Sequence, residues 1–327
     1  MHALPNRPRY AARLNAFKVG LAGKPSAADM IARAGQVAGL DAADLNYPDH
    51  FEHHSPAKLS GLLADQGMAL NGLAMRYYTD PGFRLGAFTN PDPKTRRAAI
   101  DQTKRGLDAL AEMGGQIMTL WLGQDGVDYS FQGDFDQMWG DTVAALAEVA
   151  DHNSSLDIAV EYKPNEPRAF ALLPDVGTTL LAIKEAGRAN IGVTLDFAHV
   201  LYAGEIPAQT ARLIARHARI MGVHLNDGYG KRDDGLMVGS VHPVQTVELL
   251  VELTRIGYDG VIYFDTFPDH GGLDPVAEAA TNIAMTDRLR AVAAGLVGHA
   301  GLADAMARQD ATQSLRIVAD HLYGPPA

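Results

Sequence analysis

Apolar residues along this chain fall into short runs separated by longer stretches with helical spacing, and the alternation repeats eight times. The runs are NAFKVG (15–20), DAADLNY (41–47), MALNGLAM (68–75), QIMTLWLG (116–123), DIAVEYK (157–163), IGVTLDF (191–197), RIMGVHLN (219–226) and VIYFDTF (261–267). Between them the spacing predicts helices near 26–38, 56–66, 92–113, 135–152, 175–186, 208–217, 244–256 and 275–294. Pro174, Asp175 and Pro243 supply start signals, and Gly67, Gly114, Gly187 and Gly257 supply stops. The strands are apolar continuously rather than alternately, which suits a parallel sheet covered on its outer face. Eight such units predict a (β/α)₈ TIM barrel over residues 1–295, with an open doubly wound sheet as the alternative. The remainder, 296–327, predicts a C-terminal helical extension packed on the barrel or reaching a neighbouring subunit.

Composition narrows what such a barrel does. With 327 residues and 47% hydrophobic content, the chain can bury a large core. Its 39 acidic residues against 28 basic ones give a formal charge of −11, which argues against a nucleic-acid partner. There is no cysteine, so thiolate metal sites and disulfides are excluded and any metal falls to carboxylates and imidazoles. No apolar run approaches the ~20 residues needed to span a bilayer, and the first residues carry no long apolar segment. The expected setting is cytoplasmic, without a membrane partner.

Catalytic loops of such barrels follow the carboxyl ends of the strands, so polar residues there are the ones to test. Strand five ends in Glu161, strand six in Asp196, strand seven carries His224 and strand eight Asp265. Each is about one strand–helix unit from the next, so a closed barrel brings all four toward one point. Three carboxylates so close repel unless a cation balances them. Oxygen ligands plus one imidazole suit Mn²⁺, Mg²⁺ or Co²⁺ better than Zn²⁺.

Nearby residues extend the chemistry. Lys163 lies two positions after Glu161, hence on the same side of an extended strand, where it can polarise a carbonyl or stabilise an alkoxide. His199, with Asp233 and Asp234, offers ligands for a second ion, and His199 is also a candidate substrate contact. Trp121 offers an apolar wall to a sugar ring. Of the histidines in YPDHFEHH, His50 is the candidate acid or base for opening a cyclic substrate, while His53 and His54 read as solvated. The whole set fits proton or hydride movement between adjacent carbons of a hydroxy-carbonyl compound, and it also fits metal-assisted hydrolysis.

The motifs carry a resemblance. VEYKPNEPRAFALLPDVGTTLLAI closely resembles the metal-binding segment of xylose isomerases, and LWLGQDGVDYS their tryptophan-containing turn. GAFTNPDPKTRRAAI, LDFAHVLYAGE and YFDTF resemble further segments in order, while DFAH followed by HLND is similar to bacterial L-rhamnose isomerases of the same superfamily. The resemblance implies a homodimer or homotetramer acting on a small sugar. Glu161, Asp196, His224 and Asp265 would bind one metal, and His199 and Asp233 a second. Lys163 would contact the oxygen on carbon one, Trp121 would pack on the substrate, and a hydride would pass between carbons one and two, turning aldose into ketose. Where those families place a second aspartate in the catalytic-metal loop, this chain has Gly235. The runner-up is a ketose 3-epimerase of the tagatose-epimerase type, in which Glu161 and Asp265 exchange a proton from opposite faces of the substrate.

Overall fold

The computed structural model describes residues 7–324; residues 1–6 and 325–327, at the outer ends of the two predicted segments, lie outside it. Eight parallel strands close on themselves: β1 (Tyr10–Arg13), β2 (Ala42–Tyr47), β3 (Ala69–Met75), β4 (Ile117–Trp121), β5 (Asp157–Glu161), β6 (Ile191–Asp196), β7 (Ile220–Leu225) and β8 (Ile262–Phe264). The ring is sealed where β1 pairs with β8, Tyr10 opposite Ile262, as well as with β2. Every residue of β5 and β6 is buried. That burial on both faces is why their sequences carry no alternation.

A main helix follows each strand: α1 (Ala27–Ala34), α2 (Pro56–Asp65), α3 (Pro93–Glu112), α4 (Phe135–His152), α5 (Val176–Ala186), α6 (Pro207–His217), α7 (Pro243–Arg255) and α8 (Pro275–Leu296), with short extra helices Phe197–Tyr202 after β6 and Pro268–Gly271 after β8. Their starts are chemically marked. Ser26 and Asp29 form a reciprocal capping box on α1, Asp92, Asp134 and Asp175 cap later helices through their side chains, and proline opens α2, α3, α6, α7 and α8. Two more helices, α9 (Ala300–Ala307) and α10 (Ala311–Tyr323), follow the barrel. Among the described residues no helix is long and apolar enough to cross a membrane.

The first strand differs from expectation. Residues 15–20 do not form it: Leu14–Lys18 is a 3₁₀ turn, and the strand is the preceding YAAR. Phe17 and Leu14 are buried in the main core from that turn, so their apolar character serves packing rather than a ladder. The shift matters for the site, because it puts Arg13 at the carboxyl end of β1.

Candidate metal centre and substrate cavity

Four side chains from adjacent strands converge as their spacing implies. One ligand atom from each of Glu161, Asp196, His224 and Asp265 lies within 4.8 Å of the other three. His224 Nδ1 is 3.2 Å from Glu161 Oε1 and 3.8 Å from Asp196 Oδ2. The backbone register fixes these neighbours, since Asp196 stands opposite His224 and Glu161 opposite Thr194. Asn226 holds the group from behind: its Nδ2 donates to both oxygens of Asp196 and to the Asp265 carbonyl, while its Oδ1 accepts from the Ala198 amide.

A second group adjoins the first. The short helix Phe197–Tyr202 follows β6 directly, and it brings the His199 ring to 3.5 Å from Glu161 through Nδ1 and 3.1 Å from Asp233 Oδ2 through Nε2. Lys163 Nζ lies 3.4 Å from the same Asp233 oxygen, 3.4 Å from Glu166, and 4.4 Å from the centroid of the Trp121 ring.

The electrostatics of the cluster are those of crowded anions in a dry place. Burial pushes the Asp196 carboxyl up to about 7, with His199 opposing. Burial alone would lower the imidazoles. The carboxylates win: Asp196 and Asp233 carry His199 up to about 10, and Glu161 carries His224 up to about 9. Glu161 is lowered despite burial, because His224 and His199 face it. Even so, Asp265 Oδ1, Asp233 Oδ1 and His199 Nδ1 are buried without hydrogen-bond partners. An orphaned carboxylate oxygen in the four-residue cluster, and an orphaned oxygen and imidazole nitrogen in the group beside it, are donors of the kind that divalent cations would satisfy.

Glu161, Lys163, His199, His224, Asp233 and Asp265 help line a cavity of about 320 Å³, at the small end of the ~300–1,000 Å³ usual for small-molecule sites, while Asp196 is buried behind it. Arg13, Asp44, Asn46, Arg76, Tyr78, Tyr263 and Phe267 contribute to the rest of its lining. Asp44 accepts a 2.6 Å hydrogen bond from Asn71 Nδ2, and burial raises its carboxyl to about 7. None of these was singled out from sequence. Arg13 was hidden by the misplaced first strand, whereas Arg76 immediately follows an apolar run, the same signal that marks Glu161.

Not every candidate reaches the cavity. His50 is buried outside its lining, with Nδ1 accepting from the Asn46 amide and Nε2 2.8 Å from Asn15 Oδ1. His53 is exposed beside Glu52. Asp234 turns away to brace its own loop, accepting from the Tyr229 amide and from Arg232 Nε. Gly235 has φ +56°, and a Cβ there would fall 2.3 Å from the Phe267 ring. A larger residue at 235 therefore has no room without Phe267 moving aside.

A closed parallel barrel with a carboxylate and imidazole cluster at its carboxyl ends defines a class of site rather than one reaction. The chain belongs to the xylose isomerase-like TIM barrel family, which it matches over residues 32–321. Xylose isomerase from Thermus thermophilus is 30% identical over 211 residues, covering 62% of this chain and 54% of that protein. The similarity thus spans about half the length of that relative. Among solved structures, L-ribulose 3-epimerase superposes with a TM-score of 0.71 at 17% identity, over 90% of this chain and 99% of that one. A D-tagatose 3-epimerase-like protein gives 0.70 at 16%, over 89% and 98%. Both structural likenesses show the fold, and the named relatives include a sugar isomerase and a sugar epimerase.

Proposed function

We propose that the protein is a divalent-metal-dependent sugar isomerase that interconverts an unphosphorylated aldose and ketose by a hydride shift between carbons one and two. The observation that carries this reading is Lys163, a buried ammonium pinned between Asp233 and the Trp121 ring beside the four-residue cluster. Glu161, Asp196, His224 and Asp265 would hold one Mn²⁺, with Mg²⁺ or Co²⁺ as substitutes, and His199 and Asp233 would belong to a second site. A cation there would supply charge balance and a grip on neighbouring sugar oxygens. Lys163 donates to the oxygen on carbon one as negative charge gathers there, and Trp121 walls the carbon chain from water.

Ketose 3-epimerisation is the second reading, favoured by one observation: Glu161 and Asp265 come from different strands into the same cluster, and Asp265 Oδ1 is buried without a partner. In that reaction one carboxylate removes a proton from the reacting carbon and the other returns one to its opposite face. Conversion in D₂O separates the two. A hydride shift leaves the product without deuterium at the reacting carbon, whereas rapid deuterium uptake counts against the hydride shift, and uptake at carbon three supports the epimerase.

The same reading takes 1–295 as the barrel domain and 296–327 as a helical extension. We place the protein in the cytoplasm as a homodimer or homotetramer, with Met306, Leu315 and Tyr323 as exposed apolar residues of the extension available to a second subunit.

A further inference from the structure

The cavity has a second charged wall. Arg13 ends β1 and Arg76 directly follows β3, which stands across the closed ring from β7 and His224. The charge of Arg13 is answered: its Nη2 lies 2.5 Å from Asp269 Oδ1 and its Nε 3.6 Å from Asp265. That of Arg76 is not. Among the described residues it forms no ion pair, its Nε is buried without a hydrogen-bond partner, and Arg13 repels it. Asp49 and Asp265 are the carboxylates that act on it, both from beyond contact. A half-buried guanidinium with an orphaned Nε and its nearest carboxylates beyond contact is left short of hydrogen-bond partners, and burial already pulls its pKa downward.

Aromatic rings tie this cation to the reaction site. The Arg76 guanidinium lies 4.1 Å from the Tyr78 centroid, Tyr78 meets Trp121 edge-on at 4.9 Å, and Lys163 lies over Trp121. The result is a continuous apolar strip with one cation at each end. Lys163 sits at the end beside the cluster, and Arg76 at the far end.

We propose that the substrate is a sugar acid, an open-chain hydroxy-carbonyl compound whose carboxylate, remote from its reacting carbonyl, is received by Arg76. The inference rests on the cavity being the sugar site of the proposed function. A planar guanidinium pairs with a carboxylate through two parallel hydrogen bonds, while a neutral hydroxyl leaves the charge unanswered. A phosphate is the poorer match, because only one guanidinium is free and the cavity is small.

Calorimetric titration of the Mn²⁺-loaded protein tests this with matched sets that differ only at carbon six. Glucose, galactose and mannose are compared with their uronates, their uronamides and their 6-phosphates. In at least one set the uronate is expected to bind about tenfold more tightly than both the sugar and the uronamide. Arg76→Gln should bring the uronate's affinity down to that of the matched uronamide, and Arg76→Lys should restore part of the advantage. Uronates no tighter than uronamides in every set would overturn the proposal without recourse to any variant. So would a 6-phosphate that binds more tightly than its uronate, or an advantage that persists in a folded Arg76→Gln protein. Turnover is read separately. A uronate bound through Arg76 but left unconverted while a neutral sugar is isomerised sinks this proposal alone, and the absence of any aldose–ketose conversion, with the uronate advantage still lost in Arg76→Gln, sinks the isomerase reading alone.

Discussion

Lys163 and Trp121 act as one unit: the ammonium sits 4.4 Å from the indole centroid, and the ring belongs to the strand that pairs with Glu161. The ring face stabilises a charge that burial disfavours, and it fixes the direction in which the ammonium points. Lys163→Met is expected to lower kcat by about 10²- to 10³-fold with a smaller change in KM, since the interaction strengthens as charge develops. Trp121→Ala should mainly raise KM. Steady-state kinetics on the converted sugar decide the matter, and a kcat for Lys163→Met close to wild type would remove the lysine from the chemistry.

Metal and scaffold are separable through Asn226, which touches Asp196 and the Asp265 backbone but is not itself a candidate ligand. Chelator treatment should lower the melting temperature, and adding Mn²⁺ at 100 times its Kd should return about 2.7 kcal/mol of stability. Asn226→Ala is expected to weaken Mn²⁺ binding by about 10- to 100-fold. Melting curves indifferent to chelator and Mn²⁺ would show that the cluster holds no ion.

The buried ring of His50 predicts a pH dependence. Burial lowers its pKa from the usual 6.5 to about 3, so the folded protein keeps it neutral while the unfolded chain protonates below 6.5. Its contribution is therefore complete above pH 6.5 and is lost progressively as pH falls toward 3, by up to about 1.4 kcal/mol per pH unit. Urea unfolding at pH 7, 6, 5 and 4 should show a shallower decline for His50→Asn than for wild type. Parallel declines would mean that another group carries the proton.

Gly235→Ala should destabilise the protein by about 2–4 kcal/mol, combining an unfavourable positive φ with a collision against Phe267. Gly235→Asp should do at least as much harm and add no bound metal, measured by calorimetric stoichiometry. An additional ion in that variant would show that the loop can move aside.

Barrel order was legible because the strands are mostly buried, β5 and β6 at every position, and so read as apolar runs, and because prolines, capping aspartates and glycines punctuate the helices. The cluster was legible for a related reason: a charge at the end of such a run has few places to go in a closed barrel. YAAR escaped because its two alanines carry no strand signal, whereas Phe17 and Val19 nearby do; the core claimed Phe17 from a 3₁₀ turn instead. Side-chain burial inside a strand, as at Asp44, leaves no trace in an apolar pattern, since neighbours across the ring decide it. The opposite fates of Asp233 and Asp234 were equally hidden, because they depend on how one loop folds over His199 and Tyr229.

Closure of the barrel between β1 and β8 has a consequence for synthesis. Three of the four clustered residues are in the chain by residue 224, yet Asp265 follows the strand that seals the ring, and Arg13 waits at the other side of that seam. A nascent chain still short of β8 carries an open sheet, an anionic cluster missing a member and an arginine without its acidic partners. The four-residue cluster is therefore complete only in a chain whose first and eighth strands have paired, so the two ends of the barrel hold the site together.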